Sequence, residues 1–186
     1  MLRKQVFDKN GERYEPREVF DAYMRLGGMP GIADVGLEQE KALSLLDGIY
    51  STVVIRDILE REKRRGQKQI TDPTLLRKII LFLADNIGSR VSIASIGNTL
   101  VNEGLLEDGK RKGAPSAHTV QAYVNALLES YFFYEIKRFD IKGKAYLRTL
   151  GKYYIVDIGL RNYLLGFRNR DSGHAIENVV YFELLR

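Results

Sequence analysis

The densest positive charge of this sequence lies in one short segment, where it could neutralise phosphate groups. Between residues 137 and 152 the chain has one acidic residue, Asp140, and six basic residues. The basic residues are Lys137, Arg138, Lys142, Lys144, Arg148 and Lys152. Their local excess of +5 equals the net charge of the whole chain. Such residues bind phosphates and release counterions, although on an exposed hairpin they also protect a sheet edge from aggregation.

A polar helix face precedes this basic segment. Ser116 is a typical N-cap residue, and apolar residues follow it at helical spacing. The predicted inward face consists of Val120, Tyr123, Val124, Leu127 and Leu128. The predicted outward face carries His118, Thr119, Gln121 and Asn125. Side chains of these types can bond to DNA bases or phosphates, although His118 can equally be an exposed histidine in a capping turn.

Other polar residues are weaker candidates for chemistry. Asp157 follows an apolar strand, and the usual role of such an aspartate is to cap the next helix. Glu177 is expected to be a solvated acid in a first helical turn. His118 and His174 have no neighbouring ligands, so we predict no metal site. The basic cluster from Arg61 to Lys68 is interpreted as a solvated helix end rather than a second DNA site.

The elements around the polar and basic residues follow the order of a winged helix-turn-helix domain. Asp72 and Pro73 begin a first helix, a second ends near Asn102, and the helix after Ser116 is the third. The predicted strands are residues 131–137, 145–148 and 153–156. In such a domain the third helix enters the major groove, and a basic hairpin, the wing, rests on the DNA backbone. The loop before the third helix has about twelve residues, longer than the three or four of a strict helix-turn-helix.

The first third of the chain is predicted to be a small helical unit. Pro16 can open a helix, which the pair Gly27 and Gly28 ends. Its apolar stripe is predicted to be Val19, Phe20, Tyr23 and Met24. Residues 29–31 predict a tight turn, and a long helix follows to about Arg65. The apolar face of that helix is predicted to be Leu43, Leu46, Ile49, Tyr50, Val53 and Val54.

Composition excludes several classes of protein. The chain has 186 residues, of which 45% are hydrophobic and 28% charged, a balance typical of a protein with a real core. Its longest apolar run, residues 79–84, is far short of the roughly 20 residues that span a bilayer. The N-terminus has no apolar signal region. The absence of cysteine excludes disulfides and thiolate metal sites and is compatible with the cytosol.

Four segments together resemble a known family. They are LGGMPG at 26–31, IRDI at 55–58, KYYIVDIGLR at 152–161 and GHAIENVVYFEL at 173–184. In this order they resemble the C-terminal half of a family of predicted prokaryotic AAA-type ATPases. Those proteins begin with a P-loop ATPase core and continue into a domain of unknown function. That domain contains a winged-helix unit and ends in a restriction-endonuclease-like fold.

Two activities that the resemblance implies are incomplete in this sequence. A phosphate loop requires Gly-Lys followed by serine or threonine, but Gly-Lys in this chain precedes Arg111, Ala145 and Tyr153. Glu177 matches a helix carboxylate of the nuclease fold, yet the aspartate and Glu-x-Lys motif that would complete a metal site are missing. The sequence therefore predicts neither ATP hydrolysis nor nuclease activity, and it predicts no cofactor.

The resulting expectation is a mainly α protein with a small β-hairpin or sheet. Residues 1–70 would form the helical unit, similar to an ATPase lid or linker, and residues 71–170 the winged helix-turn-helix. Residues 171–186 would be the first helix of a truncated nuclease-like domain. The primary hypothesis is a non-catalytic fragment of a AAA-type ATPase, cytoplasmic and prokaryotic, that binds duplex DNA and no membrane. The alternative is a protein-interaction module that couples the ATPase to a partner or to another copy of itself.

Overall fold

The computed structural model describes Gly11 and residues 13–36, 38–64, 70–102, 115–137, 150–167 and 172–186. As predicted, these residues are mainly helical, with one small antiparallel sheet. The helices are α1 (Pro16–Leu26), α2 (Pro30–Asp34), α3 (Gln39–Gly48), α4 (Asp57–Arg64), α5 (Pro73–Asp85), α6 (Ile93–Asn102), α7 (Ala117–Glu129), α8 (Ile158–Leu165) and α9 (Ser172–Leu185). The strands are β1 (Arg90–Val91), β2 (Phe133–Ile136) and β3 (Gly151–Ile155).

Three predicted helix starts are confirmed by their caps. Asp72, Ser116 and Asp157 begin α5, α7 and α8, and each side chain accepts hydrogen bonds from backbone N–H groups of the first turn. The bonds measure between 2.8 and 3.2 Å. Each cap satisfies donors that have no partner within the helix. These local signals therefore fix where three of the helices begin.

The three described strands form a sheet in the order β1-β3-β2, and both pairings are antiparallel. The register places Arg90 opposite Lys152 on one side of β3 and Ile136 opposite Lys152 on the other. β3 confirms the last predicted strand with a small shift in its bounds. The predicted strand 145–148 and the connection before it lie outside the described residues.

The long helix predicted in the first third is present, but its centre is a π-helix. Residues Ile49–Arg56 form this segment between α3 and α4. The segment is rich in β-branched residues, whose side chains crowd the preceding helical turn. The Thr52 hydroxyl donates to the Gly48 carbonyl oxygen, a bond of the kind that bends helices. Tyr50 of the predicted apolar face is buried, as is Ile58 of α4, whereas the side chains of Val53 and Val54 lie outside the described residues.

One hydrophobic core joins the first helices to the later ones. Leu26, Ile32 and Leu46 belong to the same buried cluster as the apolar faces of α5 and α7. Fully buried residues of α5 and α7 are Leu75, Leu76, Ile79, Ile80, Leu83, Val120, Tyr123, Val124 and Leu127. Four of the five residues predicted for the inward face of α7 are thus buried, and the fifth, Leu128, is half-buried against the same core. In the predicted stripe of α1, by contrast, Phe20 is 47% exposed, because α1 packs at the margin of the core.

The segment after α1 differs from the tight turn predicted for residues 29–31. Pro30 instead begins the short helix α2, since a proline at the first helical position has a suitable φ and lacks only an N–H that the helix does not use. Gly31 lies so close to Leu45 that an added Cβ would be 2.8 Å from Leu45 Cδ2. The helix therefore packs closely against α3.

Two segments that are distant in sequence approach each other very closely at the start of α8. A Cβ added to Gly159 would lie 2.1 Å from the carbonyl oxygen of Leu26. Beside it, Asp157 Oδ2 accepts a 2.7 Å hydrogen bond from the backbone N–H of Gly28. Asn162 Nδ2 donates to the carbonyl oxygens of Met24 and Arg25 at 2.9 Å. The end of α1 is thus held against α8 through backbone groups on one side and polar side chains on the other.

Replacing Gly159 by alanine should separate these two segments. We expect Gly159→Ala to lower the free energy of unfolding by about 2–3 kcal/mol, because the new methyl group meets rigid backbone rather than a flexible side chain. Gly48→Ala is the matched control, since a Cβ there meets nothing within 4 Å and alanine favours the helix. Urea unfolding of both variants measures the difference. Equal stabilities would contradict the close packing of α1 against α8.

Candidate nucleic-acid interface

The first turn of α7 is fixed by its cap. The Ser116 Oγ accepts a 3.1 Å hydrogen bond from the Thr119 backbone N–H and lies 2.9 Å from the Thr119 hydroxyl oxygen. Thr119 is half-buried, and His118 beside it is exposed. Of these two predicted site residues, the histidine is therefore the one that solvent, or a ligand in its place, reaches freely.

Two amide side chains lie next to each other on the exposed face of α7. Gln121 and Asn125 are both exposed, and Gln121 Nε2 donates to Asn125 Oδ1 at 2.8 Å. The pairing orders two side chains that would otherwise move independently. Primary amides both donate and accept hydrogen bonds, as recognition of a base edge in the major groove requires. The structure thus brings three predicted residues, His118, Gln121 and Asn125, onto one exposed face.

Helix α6 supports α7 from behind through a glycine. A Cβ added to Gly97 would lie 3.2 Å from the Pro115 carbonyl oxygen and 3.7 Å from Val120 Cγ2. A larger residue would push α6 away from the start of α7. Gly97 gives no such signal in the sequence, because a glycine inside a helical pattern carries no information about which segment approaches it.

A buried tyrosine fixes α7 against the start of α5. The Tyr123 hydroxyl oxygen accepts hydrogen bonds from the backbone N–H groups of Thr71 and Asp72, at 3.3 and 3.0 Å. Tyr123 is completely buried. These bonds satisfy donors at the entry to α5 and prevent α7 from rotating about its axis. The outward face of α7 consequently has a defined direction.

The basic segment 137–152 is described only at its two ends, and at the second of them Lys152 lies on β3 and pairs with Glu177 at 2.7 Å. Lys137 follows β2 directly and is exposed. Arg138, Lys142, Lys144 and Arg148 lie outside the described residues. Helices α6 and α7 contain no lysine or arginine, so the polar face of α7 has no cation of its own that could attract a phosphate backbone.

Of the other basic cluster, Arg61, Lys63 and Arg64 at the end of α4 are described, whereas Arg65 and Lys68 lie outside the described residues. The Arg61 guanidinium, on α4, donates to the carbonyl oxygen of Ala126 at 3.1 Å. The Arg64 guanidinium lies 3.8 Å from the Glu60 carboxylate one turn earlier on the same helix. A cation near the last carbonyl groups of a helix is favoured by the helix dipole. Lys63 and Arg64 are exposed, as expected of a solvated helix end, whereas Arg61 is half-buried against α7.

Glu177 is in a different environment from the one predicted. It lies beyond the first turn of α9, and its Oε1 is 2.7 Å from Lys152 Nζ and 2.6 Å from the Tyr154 hydroxyl. Its Oε2 is 3.9 Å from His174 Nδ1. The hydrogen bonds from Lys152 and Tyr154 lower the pKa of Glu177. The carboxylate therefore ties α9 to β3 and does not act as a free acid at the helix start.

Asn178, the neighbour of Glu177, is a second polar connection that the sequence did not reveal. Its Oδ1 accepts from the Ile155 backbone N–H and its Nδ2 donates to the Ile155 carbonyl oxygen, both at 2.9 Å. The amide thereby continues the hydrogen bonding of β3 on the side where β1 has ended. Buried asparagines of this kind satisfy backbone groups that would otherwise lack partners.

Within the described residues, the polar side chains do not form a catalytic metal centre. No group of three or more histidine and carboxylate side chains there could hold a metal ion. None of the described helices is long and apolar enough to cross a membrane.

One protein-family model matches most of the residues described above. Residues 17–171 match the model of a domain of unknown function, DUF8612. The chain belongs to this family. The matched region extends from α1 beyond α8, so it includes both the contact between those helices and the exposed face of α7. Helix α9, which begins at Ser172, lies beyond the matched residues.

A longer relative is found in Haemophilus influenzae strain Rd. The chain is 36% identical to this protein, which bears the name "Uncharacterized protein", over 171 residues. The alignment covers 91% of the chain but 38% of the relative. The chain thus spans well under half the length of the relative that it matches. No solved structure matches the chain.

Proposed function

We propose that this chain is a non-catalytic winged helix-turn-helix module that binds duplex DNA. The observation that carries the proposal is the exposed face of α7, on which His118, Gln121 and Asn125 lie together. That face is polar and uncharged when the histidine is neutral, and it can contact base edges without repelling phosphates. Among the described residues it is the face whose chemistry best fits a nucleic acid.

The order of the elements supports this proposal. Along the chain, the elements α5, β1, α6, α7, β2 and β3 follow the order expected of a winged helix. In such a domain the third helix, here α7, is the recognition helix. The buried Tyr123 and the small Gly97 hold α7 in a fixed orientation. A fixed orientation lowers the entropic cost of binding, because the exposed amides need not be ordered by the DNA.

Affinity in this proposal comes mainly from the basic segment after β2. We assign phosphate contacts to Lys137, Arg138, Lys142, Lys144 and Arg148. Phosphate contacts release counterions and make binding depend on salt. Base contacts by α7 would add specificity with little electrostatic attraction. The two groups of residues therefore have separate signatures in a titration with salt.

The basic residues of the wing should control how strongly DNA binding depends on salt concentration. Reversing two charges, Lys142→Glu with Lys144→Glu, should weaken binding and flatten the slope of log K against log salt by roughly two, if each lysine makes one phosphate contact. Fluorescence anisotropy of a labelled duplex at several salt concentrations measures the slope. The control is Arg17→Glu on α1, where the side chain is 92% exposed and far from α7 in sequence. An unchanged slope in the double variant would remove these lysines from the interface.

The face of α7 should control affinity without changing the salt dependence. Gln121→Ala with Asn125→Ala removes two exposed neutral side chains, and alanine favours a helix. We expect binding to a preferred duplex to weaken by roughly tenfold or more, because a good amide–base contact is worth about 1–3 kcal/mol. The same anisotropy titration should show the salt slope of the wild-type chain. Wild-type affinity for every duplex tested would contradict the role of α7.

We further propose that the chain acts as an accessory region of a AAA-type ATPase in the cytoplasm of a prokaryote. The support is the order of the four sequence segments, together with a relative that is more than twice as long as the aligned region. Nucleotide chemistry would then reside in a separate ATPase core and not in this chain. Helices α1 to α4 would connect that core to the DNA-binding module.

The longer relative allows this association to be tested. The purified full-length protein from Haemophilus influenzae should bind and hydrolyse ATP, whereas the present chain should do neither, because it has no phosphate loop. A colorimetric phosphate assay, with the two proteins at equal concentration, makes the comparison. A full-length relative that releases no phosphate from ATP would contradict the association with an ATPase.

A second candidate function is a protein-interaction module that couples the ATPase to a partner or to another copy of itself. The observation that favours it is a row of exposed apolar residues on α9, formed by Ile176, Val180 and Leu184. This function predicts a stable complex in sizing experiments and no salt-sensitive DNA binding. The anisotropy titration and a sizing experiment together distinguish the two candidates.

A further inference from the structure

Helix α9 is apolar on two opposite sides. Its inner side covers the sheet, where Tyr181 stacks on Tyr154 with ring centroids 4.4 Å apart. Phe182 meets Tyr134 edge-on at 5.0 Å. Ala175 on the same side is buried. These contacts account for one apolar side of the helix and leave the other unexplained.

The outer side of α9 carries a regular apolar row. Ile176, Val180 and Leu184 are 46%, 49% and 82% exposed, and they follow one another at intervals of four residues. A surface helix normally presents polar residues to solvent, and an apolar patch of this kind on a protein surface often marks a contact with another molecule.

The charges beside this row are already compensated within the chain. Glu177 pairs with Lys152 at 2.7 Å, and Glu183 pairs with Arg186 at 3.2 Å. The row itself contains no ionisable group. Two such surfaces can therefore approach one another without bringing uncompensated carboxylates together, which would otherwise oppose contact between identical copies.

We propose that the outer row of α9 is a self-association surface on which two copies of this chain pack antiparallel about a two-fold axis at Val180. The row is symmetrical, because Ile176 and Leu184 lie four residues to either side of Val180. A two-fold axis there sets Ile176 of each copy against Leu184 of the other, as a self-complementary interface requires. Residues at intervals of four form a ridge that packs into the matching grooves of a second helix.

The size of the surface determines the strength of the association. One helical row is smaller than the roughly 800 Å² per partner of a standard stable interface. The dimer is therefore weak and in exchange with the monomer. This inference does not depend on the proposed DNA binding, because it concerns α9 and not α7, and its test contains no DNA. It uses the same row as the second candidate function but, unlike that candidate, requires neither a stable complex nor the absence of DNA binding.

Single cysteines test the geometry directly, since the chain has no cysteine of its own. In Val180→Cys the new thiols of two copies lie across the axis, and mild oxidation should give a disulfide-linked dimer at high yield. Ile176→Cys mixed with Leu184→Cys should cross-link between the two variants more than either does alone. Arg17→Cys, at an exposed site on α1, is the control for random collision.

Sedimentation equilibrium supplies an independent measurement. The average mass should rise above the 21.3 kDa of the monomer as the concentration increases from micromolar towards millimolar. Val180→Glu and Leu184→Glu should abolish this rise while circular dichroism shows an unchanged helix content, because both side chains already face solvent. A wild-type chain that stays at monomer mass, or a Val180→Cys chain that cross-links no faster than Arg17→Cys, would overturn the proposal.

Discussion

The relative placement of α1 and α8 depends on the hydrogen bonds that the Asp157 carboxylate accepts. It is 6% exposed, and its oxygens accept hydrogen bonds from the N–H groups of Gly159, Leu160 and Gly28. Burial raises the pKa of Asp157, while the backbone N–H groups act in the opposite direction. A buried carboxylate is costly unless its oxygens are hydrogen-bonded. Since its donors come from two distant segments, satisfying the charge forces α1 and α8 together.

Asp157 lies two residues after the end of β3, so the bonds that fix α1 and α8 also fix their position relative to the sheet. β3 is the middle strand, bonded to β1 and β2, and Asn178 occupies the backbone groups of Ile155. The buried Arg161 on α8 donates from Nε to the Ala84 carbonyl oxygen at the end of α5, at 2.9 Å. The segment from β3 to α8 thus contacts the first helices, the sheet, α9 and α5. α7 joins this frame through α5, where the Tyr123 hydroxyl accepts from the N–H groups of Thr71 and Asp72.

The sequence predicts local features well and long-range polar contacts poorly. The caps at Asp72, Ser116 and Asp157 depend on residues within one turn, so their sequence signals suffice. The second partner of Asp157, Gly28, is 129 residues away, and no spacing rule connects such positions. The same limitation applies to Asn178, whose partners are the backbone N–H and carbonyl groups of Ile155. For the candidate site, helical periodicity alone predicts which side of α7 is exposed, whereas its fixed orientation depends on the distant hydroxyl contacts of Tyr123.

The two surfaces proposed for binding lie on opposite sides of the sheet. Successive side chains of a strand point to opposite faces, and on β3 Tyr154 meets α9 whereas Tyr153 and Ile155 belong to the core that α7 also enters. The outer row of α9 therefore faces away from α7. A pair of chains joined through α9 would leave the polar faces of both α7 helices uncovered. Self-association and DNA binding are consequently compatible in one molecule, and a weak dimer would raise the affinity for a duplex carrying two sites through effective concentration.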